Sequence, residues 1–350
     1  MATLRQVAKR ARVSVGTVSH VINGKVPVSP ALRQRVEEAI VALDYQPDQV
    51  ARSLKTGHTR TVAIVIPDIT NPFFPQIVRG AESVFSRQHY SLITFNTDDN
   101  LERERQVLSF LRSRRVDGVL LVIAPSRDVL HIRRTLDAGI PVVCLDRKPH
   151  GLADVDSVVV DNVGAAKACV SHLIAMGHRE IAMFTGSLIL DNARDRVKGY
   201  KAALRDAGIP IVPELIREGD FRQETGYRLC LETFAGTHRP TALFISNTLM
   251  TLGALEAFSK LGFKCPEDVA LASFDGFPIP EVFRPAITAV IQPAYEIGRL
   301  GAEQLLQRLG TGAHSAPVHL QLATELKVRE SSLRGSPYAS PSHPGAAVNR

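Results

Sequence analysis

The 350-residue sequence has no apolar run of 18 residues, the length that predicts a membrane-spanning helix. No apolar segment follows its basic N-terminus, so no secretory signal is predicted. Its four cysteines, Cys144, Cys169, Cys230 and Cys265, are too far apart for metal-type or redox-type pairs. We therefore expect a cytoplasmic protein with reduced thiols, without a metal or other cofactor and without a membrane partner.

Sequence motifs of catalysis are also missing. There is no glycine-rich phosphate loop with the right spacing, no nucleophile elbow and no pair of histidines at metal-binding spacing. The 11 histidines are scattered along the chain. The dipeptide Asp146-Arg147 is more typical of a binding pair than of an acid–base pair. We expect that the protein is not an enzyme.

Positive charge is present and is concentrated at one end. Residues 1–60 contain ten Lys and Arg against four Asp and Glu, a net +6 out of +7 for the whole chain. Such a basic segment is typical of phosphate binding and predicts salt-dependent affinity for nucleic acid. Taken alone, the charge would equally fit a solvated basic face.

The same segment has the pattern of a helix-turn-helix. Thr3 and Gln6 predict a capping box, and Leu4 to Ala11 have helical apolar spacing. After a short break, Ser14 caps a second helix over 15–22, which would lie in the major groove. The positions expected to face the groove are Val15, Gly16, Thr17, Ser19 and His20. The alternative is a helical hairpin inside a larger core. The short polar side chains and the basic flanking residues fit this alternative less well than they fit a helix-turn-helix.

A third helix and a short hinge are predicted next. Ser29-Pro30 is typical of a helix start, and an apolar stripe from Leu32 to Leu43 would close a three-helix core. Residues 47–57 lie between a proline and a glycine and span too few turns to be helical alone. We expect this hinge to become helical only when it is held, with Leu54 wedged into the minor groove or paired with a symmetry mate. An ordinary flexible linker is the alternative.

From Thr61 the pattern becomes α/β, with apolar runs that alternate with helix-sized amphipathic stretches. Such alternation predicts parallel sheets with helices on both faces, here divided into two lobes near Asp161. The predicted strands are 62–66, 91–95, 118–123, 142–145, 157–160, 180–184, 242–245 and 269–274.

Sheets of this type bind ligands beyond the carboxyl ends of their strands, where this sequence is polar. The residues there include Asp68, Asn96, Asp98, Asp146, Arg147, Asp161, Asn162, Asn247 and Asp275, with Phe73, Phe74 and Phe221 nearby and Arg194 and Arg196 in a loop that opens a helix. Carboxylates, amides and arginines around aromatic faces suit a ligand rich in hydroxyls. We interpret Asp161 and Asn162 as helix caps, and Asp68, Asn96 and Asp98 as either caps or ligand contacts.

The headpiece motifs resemble those of the bacterial lactose-repressor (LacI/GalR) family, and its purine repressor branch in particular. They are Ala2-Thr-Leu, Val7-Ala-Lys-Arg-Ala, Val13-Ser, Thr17-Val-Ser-His-Val-Ile-Asn23 and Ala51-Arg-Ser-Leu-Lys55. The resemblance extends to about Ser331. It implies a homodimer that reads a palindromic operator, with Leu54 intercalated and Lys55 nearby. Base-reading positions would be Val15, Gly16 and His20, with His20 towards a guanine acceptor and Val15 against a thymine methyl.

Two sets of site residues follow. The DNA-binding set is Thr3, Ser14, Val15, Gly16, Thr17, Ser19, His20, Asn23, Arg52, Leu54 and Lys55. The effector-binding set is Phe73, Asp146, Arg147, Asn192, Arg196, Phe221, Asn247 and Asp275.

The sequence departs from the family at two places in the effector set. Thr248 replaces a common aspartate, and Leu190 and Asn192 stand where purine-binding members have Arg and Thr. A sugar, sugar acid or sugar phosphate is therefore expected in preference to a purine. Because Arg147 and Arg194 are expected near the cleft, an anionic ligand is kept as an alternative.

The resulting domain prediction has four parts. These are a headpiece over 1–46, a hinge helix and linker over 47–60, a two-lobed, periplasmic-binding-protein-like effector-binding and dimerisation domain over 61–331, and a disordered tail over 332–350. The lobes would be 61–160 with 293–320, and 161–292 with the last strand.

The predicted function is an effector-controlled, DNA-binding transcriptional regulator, most consistent with a repressor. The alternatives are a sugar-binding receptor or transport component without a gene-regulatory role, and an architectural DNA binder.

Overall fold

A computed structural model describes residues 2–23, 27–45, 58–236, 239–277, 282, 284–311 and 316–333. The chain divides into two compact units, Met1–Arg60 and Thr61–Arg350, and each is described by itself. The predicted hinge helix over 47–57, with Arg52, Leu54 and Lys55, lies outside the described residues, as do residues 334–350 of the predicted tail.

The first unit contains helices α1 (Leu4–Ala11), α2 (Val15–Asn23) and α3 (Pro30–Ala42). The capping box is confirmed, because Gln6 N donates to Thr3 Oγ1 (3.3 Å) and Thr3 N donates to Gln6 Oε1 (2.7 Å). Helix α1 ends at Ala11, and the next residue, Arg12, caps it with a left-handed backbone. Ser14 Oγ accepts from Thr17 N (3.0 Å) at the start of α2, as predicted. Ser29 precedes α3, but its side chain makes no capping bond.

The three helices share a small apolar core. Val7, Val18 and Val36, one from each helix, are completely buried. Arg35 of α3 donates to the carbonyl oxygens of Ala11 (2.5 Å) and Arg12 (3.2 Å), and so satisfies acceptors at the C-terminus of α1. These contacts fix the angle between the helices and leave one face of α2 outside the core.

Two six-stranded sheets form the second unit, which confirms the two-lobed α/β prediction. The strands of the first lobe, in spatial order, are β11 (His319–Leu322), β5 (Asp156–Val160), β4 (Val142–Leu145), β3 (Gly118–Leu121), β1 (Thr61–Ile66) and β2 (Ser91–Asn96). Those of the second are β12 (Glu325–Lys327), β10 (Thr288–Ile291), β9 (Ala270–Phe274), β8 (Ala242–Ile245), β6 (Ile181–Thr185) and β7 (Ile216–Glu218). All pairs are parallel except β10 with β12.

Helices cover the faces of both sheets. They are α4 (Phe73–Phe85), α5 (Leu101–Ser113), α6 (Leu130–Asp137), α7 (Asn162–Ala175), α8 (Asp191–Asp206), α9 (Gln223–Phe234), α10 (Thr248–Leu261) and α11 (Ala294–Thr311). The inner strands are continuous apolar runs because both of their faces are buried, as in residues 62–66 of β1. The chain passes between the lobes near Asp161, near Gln292 and between β11 and β12.

The second lobe continues past the predicted start of the disordered tail at residue 332. Ser332 is buried, and its hydroxyl bonds to Thr288 Oγ1 (2.6 Å) and His172 Nε2 (2.7 Å). Ser331 donates to Leu271 O (2.6 Å). Ser332, at which the predicted tail begins, therefore belongs to the second lobe, because these short polar side chains satisfy polar groups of that lobe.

Among the described residues, no helix is long and apolar enough to cross a membrane. The same part of the chain has no group of three or more His, Cys, Asp or Glu side chains placed to hold a metal ion.

A buried ion pair joins α11 to the first sheet. Arg308 Nε and Nη2 lie 2.6 Å from Asp156 Oδ2 and Oδ1 respectively. Val318 N donates to the same carboxylate (2.8 Å). Burial alone would raise the pKa of Asp156, but the bonds from Arg308, Val318 and Gln304 outweigh it and lower that pKa below its ordinary value.

We predict that Asp156→Asn lowers the free energy of unfolding by about 3–5 kcal/mol at pH 7, because it leaves a buried guanidinium without its counter-charge. The lowered pKa means that the carboxylate stabilises the fold above its unfolded pKa of about 3.9 and that this contribution is lost as the pH falls through the folded value. The difference in the free energy of unfolding between the parent protein and Asp156→Asn should therefore become smaller in acid. Urea unfolding followed by circular dichroism at pH 7 and pH 3.5 measures it.

Asp154→Asn is the matched control, since Asp154 pairs with Arg133 (2.6 Å) at the surface. It should cost less than about 1 kcal/mol at either pH. Equal effects of the two substitutions would contradict the assigned role of the buried pair.

Candidate functional site

A cavity of about 260 Å³ lies between the two lobes. All eight residues predicted for effector binding line it: Phe73, Asp146, Arg147, Asn192, Arg196, Phe221, Asn247 and Asp275. They come from both sheets, because the carboxyl ends of the strands of each lobe face the same cleft.

Left-handed backbone turns after the strands aim several of these side chains at the cavity. Five lining residues have positive φ: Asp98 (54°), Asp99 (55°), Asp146 (62°), Phe221 (67°) and Asp275 (70°). Asp146 and Asp275 directly follow β4 and β9. Non-glycine residues adopt this conformation rarely, and such outliers cluster at ligand sites.

Arg147 is held by the first lobe. Its Nη1 donates to Asp99 Oδ1 (2.5 Å) and to Ile123 O (2.7 Å), and its Nε lies 3.6 Å from Asp146 Oδ2. Burial alone would lower the pKa of this guanidinium, but the neighbouring Asp99 and Asp146 outweigh it and raise the pKa. Arg147 therefore stays charged at the base of the cavity.

Arg196 is held by the second lobe and has neutral partners. Its Nε donates to Asn162 Oδ1 (2.9 Å), and its Nη1 donates to Ser246 O (2.5 Å). Its guanidinium carbon lies 3.7 Å from the ring centre of Phe274, within cation–π distance. Burial lowers the pKa of Arg196, although Asp275 and Asp146 oppose this shift.

The two buried aspartates each accept one bond from an amide side chain. Asn192 Nδ2 donates to Asp146 Oδ2 (3.1 Å), and Gln292 Nε2 donates to Asp275 Oδ1 (2.6 Å). Burial raises the pKa of both carboxyls. Asp146 Oδ1 is buried without a hydrogen-bond partner among the described residues. A ligand group that donates a hydrogen bond to Asp146 Oδ1 would satisfy this oxygen.

Aromatic rings supply the apolar part of the lining. Phe221 is fixed at its backbone by Asn247 Nδ2, which donates to Phe221 O (2.7 Å). Its ring packs against Gly186, where an added Cβ would lie 2.2 Å from two ring carbons. Phe73 packs edge to face against Phe74, with their ring centres 5.2 Å apart.

Hydrogen bonds cross from lobe to lobe around the cavity. One is the bond from Asn192 to Asp146 described above. Lys148 N donates to the Asp191 carboxylate (3.2 Å), and Arg222 Nη2 donates to Asp98 O (2.9 Å). Two of these three contacts, Asn192 with Asp146 and Arg222 with Asp98, therefore join the lobes through residues that also line the cavity.

Two of the sequence interpretations need correction. Asp161 caps α7 by accepting from Gly164 N (2.9 Å), as predicted, but Asn162 is the first residue of that helix and instead accepts from Arg196. Arg194 does not line the cavity, because it donates to the carbonyl oxygens of Leu188 (2.9 Å) and Ile189 (2.5 Å). Both Arg194 and Arg196 lie within α8 rather than in a loop.

The ambiguous polar residues have mixed roles. Asp68 Oδ1 accepts from Thr70 N (2.8 Å), and Asn96 Oδ1 accepts from Ile69 N (2.8 Å), so both hold the first loop. Asp68 and Asp98 line the cavity, whereas Asn96 does not. Asp99, Gly186 and Gln292 have structural roles at the site that the sequence analysis did not predict.

The predicted DNA-binding residues of the headpiece fall into three groups. Thr3 and Ser14 cap helices, with Ser14 Oγ also 2.9 Å from Thr17 Oγ1. Val15, Gly16 and His20 are exposed on α2, Thr17 and Ser19 are half-buried, and Asn23 is its last residue. Arg52, Leu54 and Lys55 lie outside the described residues.

Both units match known protein families. Residues 3–48 match the family described as "Bacterial regulatory proteins, lacI family", and residues 170–332 match a "Periplasmic binding protein-like domain". The repressor PurR of Aliivibrio fischeri (strain MJ11) is 34% identical over 335 residues, which cover 95% of this chain and 99% of the relative. This chain belongs to the lacI family.

Other relatives of this LacI-family protein are regulators as well. Catabolite control protein A of Priestia megaterium is 32% identical over 331 residues, covering 94% of this chain and 99% of the relative. Among solved structures, a CelR–cellobiose complex is 34% identical with a TM-score of 0.71, covering 95% of this chain and 100% of that one. The lac repressor dimer bound to operator is 26% identical with a TM-score of 0.83, covering 95% and 99%. The prediction of an effector-controlled DNA-binding regulator is confirmed at the level of this family.

We predict that Asn162→Leu destabilises this LacI-family protein by about 1–3 kcal/mol, because it leaves the buried Arg196 Nε without an acceptor. Asn162→Asp keeps an acceptor oxygen at that position and should therefore lower the free energy of unfolding by less. Urea unfolding followed by circular dichroism compares the two variants. Equal losses would mean that the contact with Arg196 is not what makes Asn162 important.

Proposed function

We propose that this chain is a cytoplasmic, homodimeric transcriptional repressor whose operator affinity is controlled by a sugar or sugar derivative bound between the lobes. The observation that carries the proposal is the cavity, where eight residues chosen from the sequence come together from both lobes. The family relationship supplies the DNA-binding half of the argument.

The exposed face of α2 supports base reading by His20 and Val15. Gly16 supports it too, because an added Cβ there would meet only Ser14 Oγ at 3.5 Å. The headpiece itself therefore does not require glycine at this position, although glycine in a helix costs roughly 0.5–1 kcal/mol relative to alanine. Close approach of a DNA duplex is a reason to keep it.

The composition of the cavity supports a sugar over a purine. Carboxylate and amide groups bind hydroxyls, and the rings of Phe73 and Phe221 suit the apolar face of a sugar ring. Leu190 is buried where purine-binding members have an arginine, and Asn192 is bonded to Asp146. Two solved relatives were determined with cellobiose and with ribose.

The proposed control acts through the hinge at 47–57, whose structure lies outside the described residues. Effector binding would change how the lobes contact each other, and with it the spacing of the two hinges of a dimer. Leu54 and Lys55 would then reach or leave the operator's minor groove, with Arg52 at the same segment. Allosteric coupling of this kind is typically worth about 1–3 kcal/mol and is reciprocal.

We predict that His20→Ala relaxes base preference at one position of each operator half-site, by about 1–3 kcal/mol, because a base-edge hydrogen bond is lost. Selection from randomised palindromic DNA followed by sequencing measures the preference. Glu38→Ala, at an exposed site of α3, is the control and should select the parental sequence. An unchanged preference in the His20 variant would rule it out as a base reader.

We predict that Asp275→Ala abolishes the effect of sugars on operator affinity while operator binding itself is retained, because Asp275 lies in the cavity and not in the headpiece. Fluorescence anisotropy with labelled operator, with and without a sugar panel, measures both. Asp206→Ala is the control, since Asp206 forms a surface ion pair with Lys167 (2.5 Å). A normal sugar response in the Asp275 variant would remove this residue from the proposed site.

A further inference from the structure

We propose that the cavity selects uncharged sugars and excludes sugar acids and sugar phosphates, an inference that rests on the function proposed above. This selectivity would distinguish ligands that have the same sugar ring and differ only in charge.

The charge of the lining is the first argument. Seven carboxylates and three guanidiniums line the cavity. Arg103 lies outside this set and pairs with Asp98, which reduces the excess to three negative charges. Only Asp146 and Asp275 among the carboxylates are buried. Of the other five, Asp98 and Asp99 pair with Arg103 and Arg147, whereas Asp68, Asp220 and Glu224 have no ion pair among the described residues. An anionic ligand would be repelled before it reached the cavity floor.

The two buried guanidiniums do not offer an unbalanced positive charge to an anion. Arg147 is already bonded to Asp99. Arg222 is exposed and donates to a neutral backbone oxygen, Asp98 O, so solvent screens its charge. Arg196 has neutral bonding partners but lies in the field of Asp146 and Asp275, which oppose the lowering of its pKa. A bound carboxylate or phosphate would compete with these aspartates for the same cations.

The unsatisfied polar atoms give the second, independent argument. Asp146 Oδ1 and Gln292 Oε1 are acceptors that belong to buried lining residues and have no hydrogen-bond partner among the described residues. Hydroxyl groups donate to such atoms, whereas ionised carboxylate and phosphate groups bring only further acceptors. Among the described residues, Arg147 Nε is the one buried donor of the lining without a hydrogen-bond partner; it lies 3.6 Å from Asp146 Oδ2 and is electrostatically compensated.

Burial also raises the pKa of Asp146 and Asp275, so their charges are costly before any ligand arrives. A second anion beside them would increase that cost, whereas hydroxyl donors would lower it by bonding to the ionised form.

The test uses the full-length protein and matched pairs of probes. D-Glucose is compared with D-glucuronate and glucose 6-phosphate, D-ribose with ribose 5-phosphate, and cellobiose and hypoxanthine are added as uncharged probes. Isothermal titration gives the affinities, and anisotropy with labelled operator shows whether each probe changes DNA binding. We expect a neutral sugar to bind at least tenfold more tightly than its anionic counterpart. An anion that binds as tightly as its neutral partner would overturn the proposal.

A double variant tests the charge argument directly. Asp220→Asn with Glu224→Gln removes two exposed lining charges, and Glu214→Gln with Glu267→Gln removes two charges from exposed residues outside the lining. The ratio of neutral to anionic affinity should fall at least threefold in the first variant and stay unchanged in the second. An unchanged ratio in both would show that the rim charges do not select the ligand.

The outcomes separate this inference from the function on which it rests. If an anionic sugar binds best and changes operator affinity, the regulatory function stands and charge selection is wrong. If hypoxanthine alone binds and changes operator affinity, a sugar effector is wrong and so is the selection among sugars. If no probe binds or changes operator affinity, both the proposed effector control and the inference from it are contradicted.

Discussion

Left-handed turns at the carboxyl ends of four strands place five of the residues that line the cavity. Aspartate adopts this conformation more often than most non-glycine residues, and four of the five residues are aspartates, namely Asp98, Asp99, Asp146 and Asp275. Phe221 is the exception, and strain of this type costs of order 1–3 kcal/mol. The bond from Asn247 and the space above Gly186 hold it in place. The surrounding structure therefore supports an unfavourable backbone in order to present a ring to the cleft.

Much of the fold was predictable because it depends on local patterns. Strands buried on both faces are continuous apolar runs, and the capping box at Thr3 needs only two residues three apart. Ligands of parallel sheets bind beyond the carboxyl ends of the strands. The position of the cavity was therefore predictable from the strand ends alone, without knowledge of any long-range contact. The identity of the eight lining residues also drew on the family resemblance.

The errors came from a contact between residues distant in sequence and from the side of a helix on which a residue lies. Asn162 has the position of a helix cap, and its partner Arg196 lies 34 residues away. Arg194 and Arg196 look equivalent in sequence, yet positions two apart point to different sides of α8, so only one enters the cavity. Gln292 follows β10 and bonds Asp275, which follows the neighbouring strand β9, so this contact depends on the order of the strands in the sheet.

The energy of the lobe contacts bears on how a small ligand would control DNA binding. Among the described residues, three hydrogen bonds join the lobes, at Asp146, Asp191 and Asp98. Each bond contributes a net stabilisation of roughly 0.5–1.5 kcal/mol. Their sum is comparable to the coupling of about 1–3 kcal/mol that is typical between allosteric sites. Since Asp146 is shared between a lobe contact and the cavity lining, a hydroxyl bound to its free oxygen acts on the group that joins the lobes. An effector that binds one arrangement of the lobes more tightly than another shifts their populations without any contact with the headpiece.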